Sequence, residues 1–240
     1  MATERRRPAP SAKAVAVNQR FGPLSTQAVT RIFNELAERI VPRSDLNFST
    51  PFELLVAVVL SAHTTDRSVN AATATLFPVA NTPKGLVALG VGKLLPYIRA
   101  VGLANQKARN VAALSQQLLD LHGGSIPSDR ESLEALPGVG RKTANVVLNM
   151  VFGQPTIAVD THVHRVANRL GLSASTTPEQ TEEVLLARVP RKHLVNAHHY
   201  LLLHGRYTCI ARRPECWRCP VARWCLFPAK TERPADASET

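Results

Sequence analysis

The chain has 240 residues, 45% of them hydrophobic and 20% charged, which is enough apolar material for a sizeable core in one large domain or two small ones. Lys and Arg outnumber Asp and Glu by 29 to 18, a formal net charge of +11, and this favours a polyanionic partner, nucleic acid ahead of an acidic membrane surface. No run approaches the length of a membrane-spanning helix and no apolar signal core opens the chain, so neither a membrane-embedded nor a secreted protein is expected.

Residues 1–22 carry Arg5, Arg6, Arg7, Lys13 and Arg20 against Glu4, with Pro8 and Pro10 among them. They read as a disordered basic arm that adds non-specific DNA affinity, with an organellar transit peptide as the rival reading. From Thr26 onward, Val29, Ile32, Phe33, Leu36 and Ile40 recur at helical spacing. Thr50, Pro51 and Glu53 supply an N-cap, a first-turn proline and a capping-box acid. The helix they open, 52–62, is apolar nearly all round and is expected to be buried. It ends in the polar run Ser61-Ala62-His63-Thr64-Thr65-Asp66, where Thr65 or Asp66 can cap the next helix, 68–76.

Thr82-Pro83 repeats the cap-then-proline device before a stretch ending near Gly90, and a further helix is expected over 91–100 with Gly102 as its stop. Residues 105–121 place Val111, Leu114, Leu118 and Leu119 on one face, and Ser128 with Glu131 forms a second capping box. Helices are also expected over 163–170, from Thr177-Pro178 onward and over 193–204. Caps recur along the chain and strand alternation does not, so the fold class is all-α, with about ten helices joined by short loops.

Two stretches carry chemistry. In Leu136-Pro137-Gly138-Val139-Gly140-Arg141-Lys142-Thr143-Ala144 one helical run stops at a proline, glycines permit a reversal, and a second apolar helix begins. The new helix's first N–H groups lack partners and sit at the positive end of its dipole, which makes an anion site suited to a phosphate. Lys142 lies in that first turn. Past a Gly153–Pro155 break comes a lone carboxylate, Asp160, in Val159-Asp160-Thr161-His162. For Lys142 the plain alternative is a lysine that grips phosphate, and for Asp160 a helix N-cap.

All four cysteines fall in Cys209-x6-Cys216-x2-Cys219-x5-Cys225. Four thiolates this close can hold a tetrahedral zinc or a [4Fe–4S] cluster, and a single short C-x2-C pair favours the cluster over a zinc ribbon. Arg206, Arg212, Arg213, Arg218 and Arg223 are interleaved with one acid, Glu215. The loop between the first two cysteines would present Arg212 and Arg213 from a rigid base to a DNA backbone.

Taken together, the hairpin stretch, Val159-Asp-Thr-His-Val-His-Arg165, His204-Gly-Arg-Tyr-Thr-Cys209 and the cysteine spacing resemble endonuclease III, a family of bifunctional DNA glycosylases in the helix-hairpin-helix superfamily. The resemblance runs from about Pro51 to Phe227. It implies two helical lobes with a DNA-binding cleft between them: a six-helix barrel with the hairpin at 44–154, and an iron–sulfur lobe from 23–43 with 155–228, followed by a disordered tail at 229–240. It implies a [4Fe–4S] cluster on Cys209, Cys216, Cys219 and Cys225. It further implies removal of oxidised pyrimidines from double-stranded DNA, with Lys142 as nucleophile and Asp160 as partner, and nicking of the abasic site by β-elimination.

DNA contacts are expected at Gly138, Val139, Gly140 and Arg141 of the hairpin, at Arg212 and Arg213, and at His162 beside the lesion. Leu103 matches a residue that wedges into the duplex. His63 stands where the family has Gln to fill the gap in the stack, and that departure bears on opposite-base preference. A monomer in a bacterial-type cytoplasm, with the nucleoid, is expected. Two alternatives remain at this point. One is a zinc-stabilised helix-hairpin-helix protein without catalysis. The other is an adenine-mismatch glycosylase, which would lack a lysine at position 142 and carry a further C-terminal domain.

Overall fold

In the computed structural model, which describes residues 24–234, the chain forms ten α-helices and two 3₁₀ turns, with no β-sheet among the described residues. The helices are α1 (Thr26–Arg39), α2 (Pro51–Ser61), α3 (Asp66–Leu76), α4 (Pro83–Ile98), α5 (Ala104–His122), α6 (Arg130–Glu134), α7 (Arg141–Phe152), α8 (Thr161–Leu170), α9 (Pro178–Arg188) and α10 (Leu194–Tyr207). The expected basic arm at 1–22 lies outside the described residues. The chain divides into two compact units. One is Pro42–Ala158, with α2 to α7; the other takes the residues up to Val41 and those from Val159 onward.

The helix starts follow the local chemistry. Thr50, Thr65, Thr82 and Thr177 each accept a backbone N–H three residues on through the side chain, and Pro51, Pro83 and Pro178 occupy first-turn positions. Glu53 takes Ser49 N–H at 2.6 Å and Asn81 Nδ2 at 3.1 Å, so its buried carboxylate is held from both sides. The expected cap at Ser128 is corrected: Asp129 caps α6 by accepting Ser132 N–H at 2.8 Å. The Ser128 carbonyl instead accepts Gln154 Nε2 at 2.7 Å, a pairing that holds residue 128 outside the helix.

In the first unit α2 is buried along its whole length from Phe52 to Leu60. Around it gather Val69, Leu76, Leu86, Leu94, Ile98, Val111, Leu114 and Leu118 in one core. α4 is two helical pieces meeting at a kink at Gly90, as the break in the sequence pattern suggests. α7 carries two buried asparagines one turn apart. Asn145 Nδ2 donates to Ile157 O at 3.3 Å, Asn149 Nδ2 to Gln154 O and Thr156 O at 3.1 Å, and Thr156 Oγ1 returns to Asn145 O at 2.7 Å. These bonds strap the extended segment before Val159 onto the helix and satisfy backbone that would otherwise be buried without partners.

In the second unit, Val163, Val166, Ala167 and Leu170 form the buried stripe of α8, spaced three and four apart. α8 packs closely on α10, and a Cβ placed on Gly205 would lie 3.0 Å from Val166 Cγ2 and 3.1 Å from His162 Cβ. The tail expected to be disordered from residue 229 is corrected at its start. Lys230 Nζ donates to Ala222 O at 2.9 Å, and Thr231 Oγ1 accepts Cys216 N–H at 3.3 Å while donating to Pro214 O. These bonds tie residues 230 and 231 to the cysteine segment.

Candidate active site and DNA-binding surfaces

The hairpin is built from a buried apolar pair around a glycine turn. Leu136 and Val139 are 2% and 6% exposed, and Val139 N–H donates to Leu136 O at 3.0 Å. The Val139 side chain and N–H are both engaged inside the turn, where they anchor the hairpin. Gly138 takes φ +81°, and a Cβ there would meet Asn110 Nδ2 at 2.7 Å. Both the backbone and the space demand glycine. Gly138→Ala is therefore expected to lose about 2 kcal/mol or more, a fall of roughly 4–8 °C in Tm that a thermal melt would read.

Gly140 is different. As N-cap of α7 it is extended (φ −100°, ψ 177°), and a Cβ there would meet nothing within 4 Å. The first bond of α7 runs from Ala144 N–H to Gly140 O, so the N–H groups of Lys142 and Thr143 have no acceptor within the helix. Arg141 and Lys142 are both exposed. The result is a positively polarised helix end with an exposed primary amine in its first turn.

Asp160 is the N-cap of α8, accepting His162 N–H and Val163 N–H, both at 2.9 Å. Both cap bonds use Oδ1 alone. The half-buried His162 ring lies 3.3 Å from Arg165 Nη2, and Arg165 also donates to Gly205 O at 2.8 Å and Cys209 O at 3.1 Å. One arginine thus ties the start of α8 to the end of α10 and to the first cysteine.

His63 and Leu103 are exposed, and among the described residues they are the two non-glycine positions with positive φ, 53° and 60°. Left-handed backbone at a branched or bulky residue costs about 1–2 kcal/mol, so surrounding contacts have to hold it. Sequence reasoning passed over a buried lysine beside this turn. Lys107 is 4% exposed and donates to Leu60 O at 2.8 Å, to Ala62 O and to Thr64 Oγ1 at 3.0 Å. Desolvation by burial lowers its pKa below the ordinary lysine value. Its signal was a lysine on the same helical face as Ala108, Val111 and Leu114.

The four cysteines line a single cavity together with Leu170, His204 and Phe227. A cavity bordered by four thiols matches a [4Fe–4S] cluster, which takes one cysteine thiolate on each iron. Burial pushes the Cys219 thiol up to about 11, which a cationic iron–sulfur core would reverse by taking the thiolate form. His204 lies 3.7 Å from Cys219 Sγ through Nε2. Burial pulls this histidine down to about 4, which leaves a neutral ring beside the sulfur.

The loop between Cys209 and Cys216 is braced. Glu215 N–H donates to Thr208 O at 2.8 Å, and Arg169 donates to Ile210 O at 2.8 Å and Ala211 O at 2.6 Å. Arg212 and Arg213 are exposed at its tip. Two of the interleaved arginines are used internally: Arg218 pairs with Glu215 and donates to Tyr207 O, while Arg223 pairs with Glu35 at 3.0 Å and lies over the Trp224 ring.

This geometry has known relatives. Residues 56–191 match the model of the HhH-GPD superfamily base excision DNA repair proteins, and residues 209–225 match that of the iron–sulfur binding domain of endonuclease III. Endonuclease III of Escherichia coli K12 is 56% identical over 191 residues, 80% of this chain and 90% of the relative. That of Treponema pallidum is 51% identical over 203 residues, 84% and 96%. A trapped endonuclease III–DNA covalent intermediate superposes with a TM-score of 0.80 at 41% identity, covering 85% of this chain and 96% of that one. A non-covalent endonuclease III–DNA complex gives the same figures. These matches favour the glycosylase reading over a zinc-stabilised DNA-binding protein or an adenine-mismatch glycosylase, and they carry the [4Fe–4S] cofactor with them. The all-helical chain with its hairpin, its carboxylate cap and its cysteine cavity is a DNA-binding base excision repair protein that belongs to the endonuclease III family of DNA glycosylases and abasic-site lyases.

Proposed function

We propose that the protein removes oxidised pyrimidines from double-stranded DNA and then cuts the strand 3′ to the abasic site, with Lys142 as nucleophile. The lesion leaves the stack, because its glycosidic carbon is out of reach inside a duplex. Lys142 Nζ attacks C1′, the bond from C1′ to the base nitrogen breaks, and the base departs with its electron pair and takes up a proton. The nitrogen gives up a proton, O4′ takes one up as the C1′–O4′ ring bond breaks, and the amine nitrogen and C1′ are then joined as an iminium. Loss of a C2′ proton expels the 3′ phosphate, and water finally frees the lysine. Asp160 stabilises the positive charge that develops on the sugar.

Lys142 supports this assignment most directly. It is an exposed amine in the first turn of a helix whose N-terminus suits the phosphate beside the reacting sugar. Gly140 and Arg141 would hold that phosphate from the same helix end. Gly140→Ala keeps the N–H but puts a methyl group where the phosphate would approach, so it should weaken DNA binding about tenfold. Its loss of stability should be smaller than that of Gly138→Ala, because the added Cβ meets no protein atom. Cys209, Cys216, Cys219 and Cys225 would ligate the cluster, which supplies a rigid base for the loop bearing Arg212 and Arg213 against the DNA backbone. His63 and Leu103 would enter the duplex where the nucleotide has left, and His162 would lie near the lesion. We place the protein with the bacterial nucleoid as a monomer; among the described residues no helix is long and apolar enough to cross a membrane.

The deciding measurement is base release and strand nicking on duplexes that each carry one oxidised pyrimidine, set opposite each of the four bases. Nicking of several oxidised pyrimidines, with an imprint of the opposite base that His63→Gln alters, is expected. Activity on oxidised purines alone would overturn the substrate assignment.

A further inference from the structure

We infer that Lys107, acting with Thr64 and Gly102, is the positioning element that holds His63 and Leu103 ready to enter the duplex before any DNA arrives. This rests on the reading that those two side chains fill the gap left by the extruded nucleotide. The two lie in different segments. One is in a turn closed by Thr64 N–H on Ser61 O at 3.0 Å, the other at the helix start where Leu103 O accepts Lys107 N–H at 3.0 Å, and neither local bond ties one segment to the other. His63 falls in the turn that follows α2, and Leu103 is an N-cap that makes no side-chain capping bond.

The connection between them runs through Lys107, Thr64 and Gly102. Lys107, one turn into α5, directs its three ammonium protons at Leu60 O, Ala62 O and Thr64 Oγ1, three acceptors that flank His63. An ammonium has three donors, and each is used here. Thr64 Oγ1 also accepts Gly102 N–H at 3.1 Å, which ties the residue beside His63 to the residue beside Leu103. The two backbones are packed so closely that a Cβ on Gly102 would lie 2.9 Å from His63 O and 3.3 Å from Thr64 Oγ1. The helix dipole adds to this, because the C-terminal carbonyls of α2 are a favourable place for a cation.

A buried lysine whose every proton goes to this one turn suits a purpose that a plain helix end does not need. The α2 carbonyls could be satisfied by water at an exposed turn. What water could not do is hold two left-handed residues in one arrangement. Setting the pair beforehand removes the ordering cost from the moment of nucleotide extrusion, when unstacking the base already costs several hydrogen bonds and contacts. The benefit falls on base removal. A preformed abasic site has no base left to unstack, so nicking there depends on the brace far less.

The test measures single-turnover base removal on a duplex with one thymine glycol, and nicking of the same duplex with a preformed abasic site, alongside thermal melts. Lys107→Met removes the brace. Thr64→Val breaks only the shared hydroxyl and keeps the lysine, so it serves if the first variant folds poorly. Both variants are expected to lower base removal roughly 10- to 100-fold, the scale of a small misplacement near reacting groups, with a much smaller change in abasic nicking. In a His63→Ala, Leu103→Ala background, adding Lys107→Met should cost little more, since contacts acting as one unit are not additive.

Equal loss of both activities in step with a lower Tm would overturn the inference, as would losses that multiply with those of the double-alanine background. If the double-alanine protein itself removes thymine glycol at the normal rate, the entry of His63 and Leu103 into the duplex is wrong, and the role given to the brace falls with it.

Discussion

Asp160→Asn is expected to leave the fold intact and to slow base removal by roughly 10²- to 10³-fold, the scale of losing one preorganised electrostatic contact in an active site. The two consequences separate because Asp160 does two things. As N-cap of α8 it accepts two backbone N–H groups through Oδ1, and an asparagine oxygen caps as well as an aspartate one. The negative charge is what an amide cannot supply. Asp160→Ala removes the cap as well and should cost a further ~1 kcal/mol of stability. Melting curves beside single-turnover rates would show the split. An Asn variant as active as the original protein would reduce Asp160 to a helix cap.

Lys142→Gln carries the larger effect. Glutamine is somewhat shorter and keeps a polar, hydrogen-bonding end but has no nucleophilic amine. Base removal and nicking should both fall by ~10⁴-fold or more, as when a covalent nucleophile is removed, and borohydride should no longer trap a covalent adduct with abasic DNA. Binding to undamaged duplex should change little, because the N-terminus of α7 persists with Gly140 and Arg141 in place. Trapping that survives the substitution would move the nucleophile elsewhere. Lys107 would not be a ready substitute, since it is buried and its donors are all engaged.

The parts of this protein that could be read in advance are those written within a few residues of one another. Thr50-Pro51 and Thr177-Pro178 start helices because a hydroxyl oxygen and a prearranged φ act over one turn. The cysteine spacing limits which groups can be held, because four thiols separated by 6, 2 and 5 residues cannot lie far apart. Lys142 and Asp160 were legible for the same reason: one follows a glycine turn, the other opens a helix, and both sit in short stretches with family likeness. Where two local solutions were nearly equal, as with Ser128 and Asp129, the choice fell to a partner 26 residues away, Gln154.

Other features depend on residues that meet only in the folded chain. Among the interleaved arginines, the cysteine spacing already sets Arg212 and Arg213 in one loop, but it does not say what Arg218 and Arg223 meet. Folding brings Glu35 of α1 to Arg223 and turns Arg218 back onto Glu215, leaving Arg212 and Arg213 exposed at the loop tip. Packing also buries the Val139 side chain inside the hairpin turn. The left-handed backbone at His63 and Leu103 has no sequence signature either, because ordinary side chains avoid that conformation unless neighbours impose it.

Sequence by itself therefore determined the all-α class, most of the helix starts and the grouping of the four cysteines, since each depends on short-range sterics, hydrogen bonding or spacing, while family resemblance pointed to the two residues proposed for catalysis. The tertiary structure decided which charges are spent internally, which hairpin groups face outward, and that Lys107 reaches carbonyls more than forty residues away. Such a meeting depends on how helices pack, and a buried amine accepts it because no water remains to take its protons.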